Sequence, residues 1–183
     1  MSEKKTKKTK EQLSDETQKV FDVLNEGTDL ARVVLGAAFL DAGMEVVLRE
    51  RFLKGSKTTD SLLKPTGPLG SYIARARLLY CLGLVSKETH QDLETIGTIR
   101  NMVAHNHLHV TFEDGDIQEL CKKLKWWELP SSISENIAGS NDLQNVAKQQ
   151  FVISLVLVFQ QIHVTAFSVG SNPDYRIARN PNT

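Results

Sequence analysis

The nine residues from Phe151 to Phe159 (FVISLVLVF) constrain the fold more than any other stretch. On a helix they are apolar on every side, so that helix must be surrounded, by neighbours in the chain or across a dimer interface. The run is far shorter than the roughly 20 residues needed to span a bilayer, so no membrane is expected as its solvent. The spacing predicts a long final helix, capped by Asn141 or Asp142 and ending near Val169, with Phe151, Leu155 and Phe159 on one side. A second helix of equal weight is predicted from Thr28 to about Leu53. Its apolar positions are nearly continuous through Leu40, which marks a central helix buried on more than one side. Gly36 and Gly43 each cost a helix about 1 kcal/mol relative to alanine and make sense where another helix packs closely. Asp41, Glu45 and Arg49 recur every four residues along it. They read either as a solvated stripe with an ordinary Glu45–Arg49 pair, or as a polar seam facing Arg100 or His105 across a groove.

The chain has 183 residues, 40% hydrophobic and 24% charged, the proportions of a soluble globular protein with a substantial core. Its net charge of zero is unevenly spread. The first ten residues carry five lysines and one glutamate, and residues 171–183 carry two arginines and one aspartate. Residues 11–170 therefore hold 15 basic against 20 acidic side chains, a net of −5. A body of that sign has no general attraction for the phosphate backbones that dominate nucleic-acid affinity. Direct sequence-specific DNA binding is not expected. Cys81 and Cys121 stand in apolar helical surroundings without a CxxC spacing and read as free core thiols of a reducing compartment. The lysine-rich start leads into polar residues rather than a secretory apolar core, so a cytoplasmic location is expected.

In chain order, residues 1–13 and 171–183 read as disordered tails around one all-α domain at 14–170. Ser14 caps a short helix to about Asn25. Gly55 to Gly67 reads as the main loop, and Pro68 as the first turn of a helix through Leu82. That helix would turn Tyr72, Ala76, Leu79 and Leu82 inward and Arg75 and Arg77 outward, and Gly83 would stop it in a left-handed conformation. Ser86 caps the next helix. Phe112 to Gly115 forms a turn, and Asp116 caps a helix to about Lys125. Trp126 and Trp127 read as lids over helix ends. Only His105 to Phe112 has any strand pattern.

The chemistry concentrates between Ile96 and His109. Leu93, Ile96, Ile99 and Val103 line one buried side of the helix, leaving Arg100, Asn101 and His105 on its flank. Asn101 and His105 share a face, whereas Arg100 lies about 140° from His105. The structural reading has His105 meeting the last carbonyls and Arg100 pairing with a carboxylate, near Asp41 and Glu45. His105, His107 and His109 alternate, but without a suitably spaced carboxylate or cysteine they give no metal site, and no cofactor is expected. No phosphate loop, HExxH or helix-turn-helix signature is present.

Pro65 to His105 resembles the mannitol operon repressor family of bacterial regulators. The residues that carry it are Gly67-Pro68-Leu69-Gly70, Ala74-Arg75 leading to Tyr80, Leu82-Gly83-Leu84-Val85-Ser86 and Asp92-Leu93-Glu94. Ile99-Arg100-Asn101-Met102-Val103-Ala104-His105 completes the match, and Phe39-Leu40-Asp41 also fits. The likeness covers roughly residues 28–125. It implies an all-helical negative regulator of mannitol genes that works through a protein partner and lacks an evident DNA-binding domain. A homodimer is also expected. Arg100-Asn101-x-x-x-His105 resembles, more narrowly, the motif of HEPN helical-bundle domains, many of them metal-independent ribonucleases. That second likeness implies that His105 deprotonates a ribose hydroxyl, Arg100 stabilises the phosphorane and Asn101 orients the phosphate, with RNA as the partner.

Overall fold

The computed structural model describes Leu24 and residues 27–105, 111–126 and 146–171. Six helices lie in these segments, with no strand among the described residues: α1 (Asp29–Arg51), α2 (Lys57–Leu63), α3 (Tyr72–Cys81), α4 (Lys87–His105), α5 (Gly115–Cys121) and α6 (Val146–Ser171). The all-α expectation holds. The tails, the Ser14–Asn25 helix save Leu24, the His107 and His109 positions, Trp127 and the Asn141 or Asp142 cap lie outside the described residues.

Side-chain caps fix where helices begin. The hydroxyls of Thr28, Ser71 and Ser86 each accept the amide three residues on, at 3.2 Å, satisfying donors that a helix start leaves unpaired. Gly83, at φ +66°, ends α3 as expected, with Leu84 N–H bonded back to Leu79 O at 2.9 Å.

The core is built on α1 and α6. Gly36 packs directly against Leu155 and Gly43 against Ile162, while Gly170 sits beside Glu50. The paired positions climb together, so the two helices run parallel. A Cβ at Gly36 would overlap the Leu155 side chain, which is the close approach that the two glycines foretold. From Phe151 to Phe159 every residue is buried except Leu157, which is half-buried. α4 closes the core with Leu93, Ile96, Ile99 and Val103, all buried as predicted. Phe112 stacks at a tilt on Phe151 with ring centroids 5.3 Å apart, bringing α5 onto the start of α6.

Several expectations are corrected. The main loop contains α2, because Ser56 caps it, Thr59 Oγ1 donates to Leu53 O, and Thr59 and Leu63 find buried positions. α3 starts at Tyr72 rather than Pro68, since Leu69 N–H returns to Leu62 O at 2.9 Å and the chain turns again before Ser71 can cap. α5 begins after Asp114, whose carboxylate takes the Thr111 amide at 2.6 Å, and stops at Cys121 rather than Lys125. Leu82 and Cys81 are exposed, beyond the last inward turn of α3. Cys121 is buried, and burial pushes its thiol pKa up to about 12. The apolar character of α6 extends beyond the nine residues from Phe151 to Phe159. The whole helix is long and apolar enough to cross a membrane by length and composition, and it serves here as the core helix.

Candidate functional site

Where α1, α3 and the 64–70 turn meet, the fold buries a guanidinium. Arg75 is 4% exposed. Its Nη1 lies 2.9 Å from Asp41 Oδ2 and its Nη2 3.0 Å from Glu45 Oε2. Nε donates to Leu69 O and Nη2 to Leu63 O, each at 2.9 Å. Two carboxylates and two carbonyls thus occupy the planar donor fork, the geometry for which arginine is suited and lysine is not. Arg49 extends the chain of charges, donating to Glu45 at 2.8 Å and to Asp60 of α2 at 2.7 Å. The Glu45–Arg49 pair is present as expected, but the Asp41–Glu45 line faces Arg75 rather than Arg100 or His105.

The Gly67-Pro68-Leu69-Gly70 turn is shaped for this node. A Cβ on Gly67 would strike the Ser61 and Leu62 carbonyls, and one on Gly70 those of Lys64 and Pro65. Only with glycine at both places does the chain fold tightly enough to aim the Leu63 and Leu69 carbonyls at Arg75. Two polar atoms nearby, Asp41 Oδ1 and the Tyr72 hydroxyl, are buried without a hydrogen-bond partner. Burial pushes the Tyr72 pKa far up and Asp41 adds to the rise, so the phenol stays protonated.

A second node pins the start of α4. The carboxylate of Asp92 accepts the Lys125 amide at 2.7 Å and the Trp126 amide at 3.0 Å, while Trp126 Nε1 donates to Thr89 Oγ1 at 3.1 Å. Trp126 is thereby the lid over a helix end that its sequence position suggested. Burial holds the Asp92 pKa above the usual carboxylate value, against the two amides that lower it. A third node gathers around Asp29. Arg32 lies 3.1 Å and Lys148 3.7 Å from its Oδ1, and the Phe112 amide donates to its Oδ2 at 3.3 Å. Arg32 also donates to Leu24 O.

Arg100, Asn101 and His105 are all exposed along the last turns of α4. Arg100 Nη1 donates to Asn101 Oδ1 at 3.0 Å. No carboxylate among the described residues pairs with Arg100, and His105 makes no hydrogen bond among them. The structural reading of these three, with Arg100 in an ion pair and His105 on a carbonyl or on Asn101, is therefore replaced by an open polar surface among the described residues. Among the described residues no cluster of three or more His, Cys, Asp or Glu side chains forms a metal site.

Arg75, expected to face outward, lies four residues before buried Leu79 and so shares its face. Two carboxylates at i, i+4 on the neighbouring helix supplied the other half of the signal. Asp92 gave no such sign, because its partners are backbone amides 33 and 34 residues away.

The architecture so defined is an all-α bundle on a parallel helix pair, with buried polar nodes tying its turns. The chain belongs to the mannitol repressor family, whose sequence model matches residues 16–164. Mannitol operon repressors of Escherichia coli strains K12 and CFT073 are each 25% identical to it over 114 residues, which is 60% of this chain. The chain spans 58% of the length of these curated relatives. Solved structures that share the fold include two bacterial regulators. One is the MtlR–HPr complex from Escherichia coli (TM-score 0.64, 22% identity), covering 80% of this chain and 98% of that one. The other is a possible transcriptional regulator, YggD, from Shigella flexneri 2a (TM-score 0.59, 14% identity), covering 84% and 98%.

Proposed function

We propose that this chain is a cytoplasmic negative regulator of transcription, acting on mannitol genes through a protein partner, and that it works as a homodimer. The observation that carries the reading is the family match over residues 16–164. The solved relative bound to HPr supports a protein as the partner. Charge points the same way. Residues 11–170 are net acidic, and Glu113, Asp114, Asp116 and Glu119 stand exposed on and before α5, so the described surface offers no basic recognition helix. Titrating the full chain with purified HPr by calorimetry, alongside gel shifts on operator-length duplex at physiological salt, tests the reading. Saturable HPr binding with only salt-sensitive, sequence-independent DNA attraction is the expected result. Sequence-specific shifts that survive removal of residues 1–10 would overturn it.

One observation favours a second reading, a HEPN-type ribonuclease: Arg100, Asn101 and His105 are open to solvent and free of carboxylate partners among the described residues. A proton-transferring His105 and a phosphate-contacting Arg100 need that access. Metal-free cleavage of a mixed RNA pool by the wild type, lost in His105→Ala at an unchanged melting temperature, would establish it. No cleavage by the wild type would remove it.

A further inference from the structure

From Asp29 to Val46, α1 reverses the usual pattern of a surface helix. Every exposed residue in that span is apolar: Leu30, Val34, Leu35, Ala38, Ala42 and Val46. Every charged one, Asp29, Arg32, Asp41 and Glu45, is buried or half-buried and paired inward. Five of the six exposed residues are spaced by four and form a single ridge, Leu30-Val34-Ala38-Ala42-Val46, about 24 Å long at 1.5 Å per residue. The ridge and Leu35 leave roughly 300–400 Å² of apolar side chain in water, the range of the largest apolar patch on a soluble monomer, which is often a functional one.

We propose that this ridge is the seam of the homodimer, with α1 packing on α1 of a second copy about a two-fold axis passing between Ala38 and Ala42. The seam rests on the homodimer reading given above. Three features select a second copy over another partner. A two-fold interface must be complementary to itself, and the order large, large, small, small, large is nearly symmetric about that midpoint. Antiparallel pairing sets Ala38 against Ala42, Val34 against Val46, and Leu30 against the stem of Glu50, whose carboxylate is held by Lys54 at 2.9 Å. Small residues at the crossing allow the helix axes to approach to about 8 Å, and interlocking ridges of this spacing cross at about 50°. The ridge carries no charge, so two copies meet without repulsion, and it offers nothing to steer or select a charged partner. Its area falls below the roughly 800 Å² per partner of a standard interface, which makes a micromolar, dilutable dimer the expected species.

Sedimentation of the full chain alone, from 1 to about 300 µM, tests the seam without any regulatory partner, so a failed HPr titration leaves its outcome unaffected. The expected result is a concentration-dependent dimer in the wild type that Ala38→Glu weakens at least ~100-fold, with an unchanged melting temperature and far-UV spectrum. Phe167→Glu, on an exposed part of α6, is expected to leave the dimer intact. In a Cys81→Ser background, mixing Ala38→Cys with Ala42→Cys protein should give mixed disulfide dimers faster than either variant forms its own. A wild type that stays monomeric throughout the range overturns the proposal. So does a dimer that persists in Ala38→Glu, or one that only Phe167→Glu dissolves. A monomeric wild type whose Ala38→Glu variant melts lower would instead show that the chain's own residues cover the ridge.

Discussion

The two sides of α1 hold the fold by opposite means. Toward α6 the contact is apolar and shape-driven, with Gly36 and Gly43 receiving Leu155 and Ile162. Toward α2, α3 and the 64–70 turn it is ionic and directional, with Arg75 satisfying Asp41, Glu45 and two carbonyls. Apolar packing tolerates exchange of one hydrophobic group for another of similar volume, whereas a buried ionic node tolerates almost none, because each lost partner strands a charge. The first contact sets how closely the helices lie; the second sets where the turn must be. Among the residues by which the chain is likened to its family, Gly67 to Gly70, Arg75 and Asp41 belong to the second.

If that contrast is right, Arg75→Ala should be the most damaging single change, costing about 3–5 kcal/mol by leaving two carboxylates and two carbonyls without their donor. Arg75→Lys should recover little of it, since an ammonium cannot span four acceptors in one plane. Urea unfolding measures both, and a loss below about 1 kcal/mol for Arg75→Ala would show that solvent screens the node. On the apolar side, Leu155→Ala should cost roughly 2–5 kcal/mol. Gly36→Ala should also destabilise, because its new methyl meets Leu155. Combined, the two should lose less than their sum, the methyl entering the space that Leu155 vacated, with a coupling of about 0.5–3 kcal/mol. Additive losses would mean that α1 and α6 relax apart instead.

The Asp92 node sharpens the comparison through pH. Its folded pKa is raised above the unfolded value by burial, so the native state binds the extra proton between the two. The stability this gives is full below the unfolded carboxylate pKa, about 3.9, and declines as pH rises through the folded one. The stability difference between wild type and Asp92→Asn should therefore shrink from pH 4 upward. A difference that grows with pH would show that the Lys125 and Trp126 amides outweigh burial. The smallest effects belong to the open surface. His105→Ala should shift stability by less than about 0.5 kcal/mol, as for an exposed side chain with no hydrogen bond among the described residues. At neutral pH a thiol reagent should label Cys81 alone in the native protein, and both cysteines only after unfolding.

The apolar periodicities were local properties, and they were legible in the chain. The unbroken Phe151–Phe159 run required a surrounded helix. Gly36 and Gly43 required a close neighbour, and Leu93, Ile96, Ile99 and Val103 named the inner face of α4. Hydrophobic burial is nonspecific as to partner, so a pattern within one element is enough to foresee it. The polar nodes were not local. Asp41 and Glu45 demanded a cation, but Arg75, Arg77, Arg100 and His105 were all within the chain's means to supply. The choice fell to Arg75 because α3, displaced by the Gly67–Gly70 turn, sets its guanidinium against both carboxylates, while Arg100 ends on an exposed flank. Charge pairing depends on distances of about 3 Å between elements remote in sequence, which only the packed tertiary structure fixes.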